Sequence, residues 1–222
     1  MKGGAQGEEI MQGNLYQRWA LLLVEKNHLP REKTAVLAYA METLFINTLN
    51  LLLTMLIAYL LGVLGGTLIC ILVAVSYRHT AGGAHSSSPW ICAAATMTIF
   101  PSLAYAATFI AAGPGVCGRL AALTAVLLGV YSIHRYAPVD SVQAPIISPE
   151  RRKRLKKYSY VVVMVFVVGI ILLEALSASW HLARILQVCA ALTILWVSFN
   201  LTPTAAYLWS WMDNQLDSKN RR

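Results

Sequence analysis

Thr34 to Tyr77 reads TAVLAYAMETLFINTLNLLLTMLIAYLLGVLGGTLICILVAVSY, and Glu42 is its only charged residue. About 20 apolar helical residues cross a bilayer core, so this run is too long for one crossing. Gly62, Gly65 and Gly66 offer a turn within it. Two spans follow, about 35–61 and 63–77, with Arg78 placed to snorkel at the end of the second. Beyond Arg78 the next Lys or Arg is Arg119. His79 to Ser88 is Gly- and Ser-rich and makes no span, whereas 89–112 makes span three and Gly113-Pro114-Gly115 a turn. Spans four, five and six fall at about 117–134, 158–174 and 185–211. Ahead of them, residues 14–29 set Leu15, Trp19, Leu22 and Leu23 on one stripe, as in an interfacial amphipathic helix ended by Pro30.

The expected fold is therefore an all-α integral membrane protein. It has about six transmembrane helices, an N-terminal interfacial helix and one membrane-embedded domain over residues 1–222. Composition agrees. Hydrophobic residues are 57% and charged residues 13%, against about 25% charged in soluble domains. Too few polar groups remain to cover a water-facing surface, which excludes a soluble enzyme, a disordered regulator and a secreted disulfide scaffold. Cys70, Cys92, Cys117 and Cys189 form no C-x-x-C pair, so neither a disulfide framework nor a cysteine-based zinc cage is indicated. The longest purely apolar run of the first 33 residues, Trp19 to Val24, is shorter than a signal-peptide core. No cleavable signal peptide is expected.

The net charge of +8 lies between the apolar runs, where it orients a membrane protein rather than binding nucleic acid. Residues 1–33 carry five Lys or Arg, the 135–157 loop seven and the tail three, while the 112–119 and 174–184 turns carry one each. Six spans put every rich segment on one side, which the positive-inside rule makes cytoplasmic. Both termini and residues 78–89 share that side.

The stretch that could do chemistry is Arg78-His79-Thr80-Ala81-Gly82-Gly83-Ala84-His85-Ser86-Ser87-Ser88-Pro89-Trp90-Ile91-Cys92. A thiol nucleophile needs a base near neutral pH, and histidine supplies one. On a continuous helix His85 and Cys92 would be separated by about 10.5 Å of rise. Gly82-Gly83 ends the preceding helix, and Ser88-Pro89 reads as an N-cap followed by proline at the first helical position. Cys92 then stands in the first turn of span three. There the helix dipole favours a thiolate and first-turn N–H groups could hold an oxyanion. His79 is the rival base. A metal held by His79, His85 and Cys92 lacks an evident fourth ligand, so no metal and no cofactor are expected. Asp140, in Tyr136-Ala137-Pro138-Val139-Asp140, either orients the imidazole, pairs with Arg78 or a nearby Lys or Arg, or caps a turn. Arg151, Arg152, Lys153, Arg154, Lys156 and Lys157 exceed what orientation needs; they suit anionic lipid or an acidic substrate segment.

These blocks resemble the accessory gene regulator B (AgrB) family. Its pattern is an arginine, then Gly-Gly-x-His, then six residues and a cysteine, met here by Arg78, Gly82 to His85 and Cys92. A second block of Tyr-Ala-Pro-Val-Asp, a Pro-Ile and a basic cluster is met by Tyr136 to Asp140, Pro145-Ile146 and Arg151 to Lys157. The resemblance implies a membrane cysteine endopeptidase of quorum sensing, with His85 as base and Cys92 as nucleophile. Arg78, Gly83, Ser88 and Asp140 are the supporting residues expected, and the basic cluster is expected either to contact the substrate or to serve only as a lipid and topology anchor. The implied partner is an AgrD-like precursor peptide in the lipid bilayer, with room for a homodimer and no nucleic acid. A non-catalytic small membrane permease or peptide-binding scaffold is the alternative; it would tolerate Cys92→Ser and Cys92→Ala.

Reporter fusions after residues 84, 115, 145 and 178 should read in, out, in, out across the membrane. An outside signal at 84 would overturn both the topology and the placement of the site.

Overall fold

The computed structural model describes residues 15–30, 32–140 and 146–220, with 216–220 described as backbone only. Residue 14 of the expected interfacial segment, Pro145, Arg221 and Arg222 lie outside the described residues. The described residues form eight helices: α1 (Leu15–Lys26), α2 (Lys33–Leu60), α3 (Leu64–Ala81), α4 (Pro89–Ala112), α5 (Gly115–Tyr136), α6 (Pro149–Leu176), α7 (His181–Asn200) and α8 (Pro203–Asn220). No strand occurs among them. Six, α2 to α7, are long and apolar enough to cross a membrane. Leu127, Val165 and Ile171 point outward and exposed, the arrangement expected where hydrocarbon is the solvent. The chain is a multi-pass membrane protein.

Span three matches residues 89–112, but other ends differ, for one shared reason. Hydropathy finds the part of a helix that lies in hydrocarbon, while hydrogen bonds and prolines decide where the helix stops. α3 continues past residue 77, through Arg78 and His79, to Ala81. α6 begins at Pro149 rather than 158, because Ser148 Oγ accepts the Arg151 N–H at 3.3 Å and Pro149 occupies the first helical position. The basic cluster is thus helical. The segment read as 185–211 is two helices. α7 ends at Asn200, Pro203 has no N–H to continue it, and Thr202 Oγ1 accepts the Ala205 N–H at 3.3 Å to start α8.

Internal contacts divide the chain into two units, Met1–Leu52 and Leu53–Arg222. In the first, Tyr16 of α1 packs on Phe45 of α2 with ring centroids 5.9 Å apart. Leu15, Trp19, Leu22 and Leu23 of α1 are all exposed, so the apolar stripe of the amphipathic helix is uncovered.

In the second unit α7 is the central helix and packs against α3, α4, α5 and α6. Lipid gives no hydrophobic drive for helices to associate, so close packing of small residues does that work. The contact faces carry Ala104, Ala107, Ala122, Ala125, Ala190 and Ala191, all buried. Gly66 is the tightest of the described helical glycines: a Cβ there would stand 2.8 Å from Cys189 Sγ and 3.1 Å from Ala104 Cβ. At the end away from the basic loop, Arg184 donates to the Gly113 carbonyl at 2.9 Å and Arg119 faces Glu174 at 3.8 Å.

Gly66→Ala should destabilise the protein by about 1–3 kcal/mol through overpacking. Gly169, whose Cβ would meet nothing within 4 Å, is the control, because Gly169→Ala should add roughly 0.5–1 kcal/mol by helix propensity. Thermal unfolding in detergent compares the two; equal effects would mean that the α3–α4–α7 contact is not tight.

Candidate active site

α3 ends at Ala81 and α4 begins at Pro89, and the chain between them folds back across its own helix ends. Gly82 makes this possible. Its φ is +76°, which favours glycine. A Cβ there would collide with the Val139 carbonyl oxygen. Two long-range backbone bonds then hold the loop. Val139 N–H donates to the Ala81 carbonyl at 2.9 Å, and Ala84 N–H donates to the Asn200 carbonyl at 2.7 Å. Asn200 is itself tied to α8, because Trp209 Nε1–H donates to its Oδ1 at 2.9 Å.

This path brings His85 and Cys92 to the wall of one cavity, and both side chains meet the Ser86 carbonyl. His85 Nδ1 lies 2.8 Å from the Ser86 carbonyl. A carbonyl only accepts, so Nδ1 carries a proton and Nε2 is left for the thiol. The Cys92 Sγ donates to the same carbonyl at 3.9 Å. The neighbouring Cys92 thiol, helped by the Ser86 carbonyl, raises the His85 pKa above the ordinary histidine value, against partial burial and the nearby Arg78 charge. Ser88 takes the N-cap position by backbone, and Cys92 N–H donates to its carbonyl at 3.2 Å, but the Ser88 side chain makes no cap bond. Cys92 therefore sits in the first turn of α4.

Two cavities open beside the pair. One, of about 90 Å³, is lined by His85, Cys92 and Arg78 at its polar end and by Ile99, Phe100, Trp196 and Trp209 beyond. The other, of about 210 Å³, is lined by Arg78, His79, His85, Pro138, Arg151 and Leu155. Arg78, Gly82, Gly83 and His85 form the wall they share.

Of the residues expected at the site, Arg78, Gly83, His85, Ser88 and Cys92 stand together. Asp140 does not face His85. It pairs with Arg152 at 2.5 Å, the nearby-basic alternative for this residue. Arg152 also donates to the Pro138 carbonyl at 3.4 Å, and Lys156 donates to the His134 carbonyl at 2.8 Å. These two side chains hold α6 to the end of α5, and Arg151 is the basic-cluster residue that lines the second cavity. Lys153, Arg154 and Lys157 are exposed. Among the described residues no three His, Cys, Asp or Glu side chains gather as a metal-binding set. Sequence reasoning missed Asn200 and Asp213. Asp213 of α8 accepts hydrogen bonds from Ser86 and Ser87. No local sequence signal marks Asp213, because its partners lie more than a hundred residues away in the chain.

Fold and site together define a multi-pass α-helical membrane protein with a histidine–cysteine pair at a helix N-terminus. Within that class the chain belongs to the family Accessory gene regulator B, whose model matches residues 16–201. Membership places it in the accessory gene regulator system. It is 22% identical over 177 residues to "Putative AgrB-like protein 2" of Clostridium perfringens (strain 13 / Type A), covering 77% of this chain and 82% of that protein. It is 23% identical over 177 residues, with the same coverage, to "Putative AgrB-like protein" of Clostridium perfringens (strain SM101 / Type A). No solved structure matches the chain.

Gly82→Ala should strain the turn by about 1–3 kcal/mol and push the loop off Val139. Alkylation of Cys92 by iodoacetamide in the full-length protein should then slow severalfold, and an unchanged rate would show that the turn does not set the pair.

Proposed function

We propose that this protein is a membrane cysteine endopeptidase that removes the C-terminal tail of an AgrD-like precursor peptide and promotes cyclisation of the remainder, in quorum sensing. The observation that carries this reading is the juxtaposition of His85 and Cys92 on the Ser86 carbonyl, 2.8 Å from His85 Nδ1 and 3.9 Å from Cys92 Sγ, which leaves Nε2 free for the thiol. That arrangement is a base oriented toward a nucleophile.

The chemistry follows from the pair. Cys92 gives its proton to His85 Nε2, and the thiolate attacks the carbonyl carbon of the scissile peptide bond. First-turn N–H groups of α4 support the oxyanion. The C–N bond breaks, the imidazolium returns its proton to the leaving amine, and the tail departs. The acyl group remains as a thioester on Cys92. A thiol or hydroxyl of the same precursor then attacks that thioester, forming a thiolactone or lactone and releasing the Cys92 thiol. Attack by water instead would give a linear acid, so a small cavity walled by Phe100, Trp196 and Trp209 favours the ring.

An acidic tail fits the second cavity, where Arg78 and Arg151 supply positive charge. Arg152 and Lys156 are engaged in holding α6, so Arg151 with exposed Lys153, Arg154 and Lys157 is the electrostatic face. The site and both termini lie on the cytoplasmic side of the cell membrane, by the distribution of Lys and Arg.

Cys92→Ala should abolish precursor cleavage at normal membrane levels, and His85→Ala should lower it by about 10²–10⁴-fold. A permease or scaffold would tolerate both changes, so cleavage by Cys92→Ala at the wild-type rate would end this reading. Arg151→Gln should raise KM for an acid-tailed precursor and leave a neutral-tailed one unchanged. The difference should shrink at high salt, because exposed charges are screened.

A further inference from the structure

One group touches both reactive side chains. The Ser86 carbonyl is 2.8 Å from His85 Nδ1 and 3.9 Å from Cys92 Sγ. Whatever fixes Ser86 therefore fixes the angle at which base meets nucleophile. Ser86-Ser87-Ser88 is a run of small polar residues with no regular structure of its own to hold it. Its anchor comes from α8. Ser86 Oγ–H donates to Asp213 Oδ1, while Ser87 N–H and Ser87 Oγ–H both donate to Asp213 Oδ2 at 2.8 Å. Ser86 Oγ in turn accepts the Ser88 N–H at 3.0 Å.

We propose that Asp213 is a positioning residue, which holds the Ser86–Ser87 segment so that its carbonyl orients His85 toward Cys92. This rests on the endopeptidase reading above.

A carboxylate suits the place. Three donors converge on it and both its oxygens are used, whereas an asparagine offers one oxygen and an NH₂ that would face a donor. Burial works against its charge, but the bonds from Ser86 and Ser87 outweigh this and hold the Asp213 carboxyl below the usual carboxylate range, so it is ionised at neutral pH. Its charge then favours imidazolium at His85, with which it interacts. It also places an anion beside the N-terminus of α4, where the Ser88 side chain makes no cap bond. Asp213 lies beyond residue 201, where the family match ends, so the family pattern does not supply this assignment.

The test uses the full-length chain in lipid nanodiscs, with two readouts. One is kcat and KM for precursor cleavage. The other is the rate of Cys92 alkylation by iodoacetamide, with peptide mapping to separate it from Cys70, Cys117 and Cys189. Asp213→Asn should lower kcat about tenfold, the scale of one lost charged hydrogen bond, with KM little changed. Alkylation should slow in parallel, and Asp213→Glu should recover part of both. The paired Ser86→Ala, Ser87→Ala variant should lose a large part of the same activity, and adding Asp213→Asn to it should cost clearly less than Asp213→Asn costs alone, because only the Ser87 N–H bond and the carboxylate charge are left to lose. Wild-type kcat and alkylation in Asp213→Asn would overturn the proposal, as would losses that add in full. If Asp213→Asn fails to accumulate in membranes, Asp213→Glu and the serine pair carry the same comparison. If Cys92→Ala still cleaves, the endopeptidase reading falls, and the alkylation rate still decides whether Asp213 orients this pair.

Discussion

The site depends on the reversal of the chain at Gly82-Gly83. His85 and Cys92 belong to a segment that a continuous helix would stretch over about 10.5 Å, beyond any hydrogen bond. A loop that breaks helical structure frees backbone donors and acceptors, and each needs a partner. Val139 and Asn200 supply those partners at Ala81 and Ala84, and both come from distant parts of the chain. The approach is close enough that no side chain fits at Gly82. The Tyr136-to-Asp140 block is thus a wall of the same site as the Gly-Gly-x-His block, although the two are far apart in the chain.

The bilayer explains why the His85–Cys92 pair sits at a helix end. Irregular backbone is not tolerated against hydrocarbon, and polar groups gather where water or other polar groups can meet them. Here the loop between α3 and α4, the loop after α5, the start of α6 and the junction of α7 with α8 all meet at the site, as its two cavities show. Charged residues at this end are used as ties: Arg152 to Asp140 and Pro138, Lys156 to His134. Arg78 borders both cavities, and Arg151 adds a second arginine to one of them.

The ends of the helices show where sequence reasoning stopped short. Ser88-Pro89 was read as a helix start. Ser148-Pro149 and Thr202-Pro203 carry the same hydroxyl-then-proline signal, and both start helices. They were missed because hydropathy decided those boundaries. A helix can project beyond the hydrocarbon, as the basic first turns of α6 do, or end inside an apolar run, as α7 does at Asn200. Asp140 was a different case. Its nearby arginine was as plausible a partner as the imidazole, and local sequence had no means to choose between them.

Composition and order along the chain were sufficient for the all-helical, multi-pass fold and for the candidate pair His85 and Cys92. Both follow from short-range facts: the length of apolar runs, a glycine pair and a serine–proline step. The partners that make the pair a site were decided by packing. Asn200 and Asp213 reach the loop only because α7 ends where it does and α8 turns back past it. Their contacts span more than a hundred residues of chain, and no local periodicity encodes a meeting at that distance. A hydrogen bond needs two groups within about 3 Å, and only the assembled helices bring these groups so close.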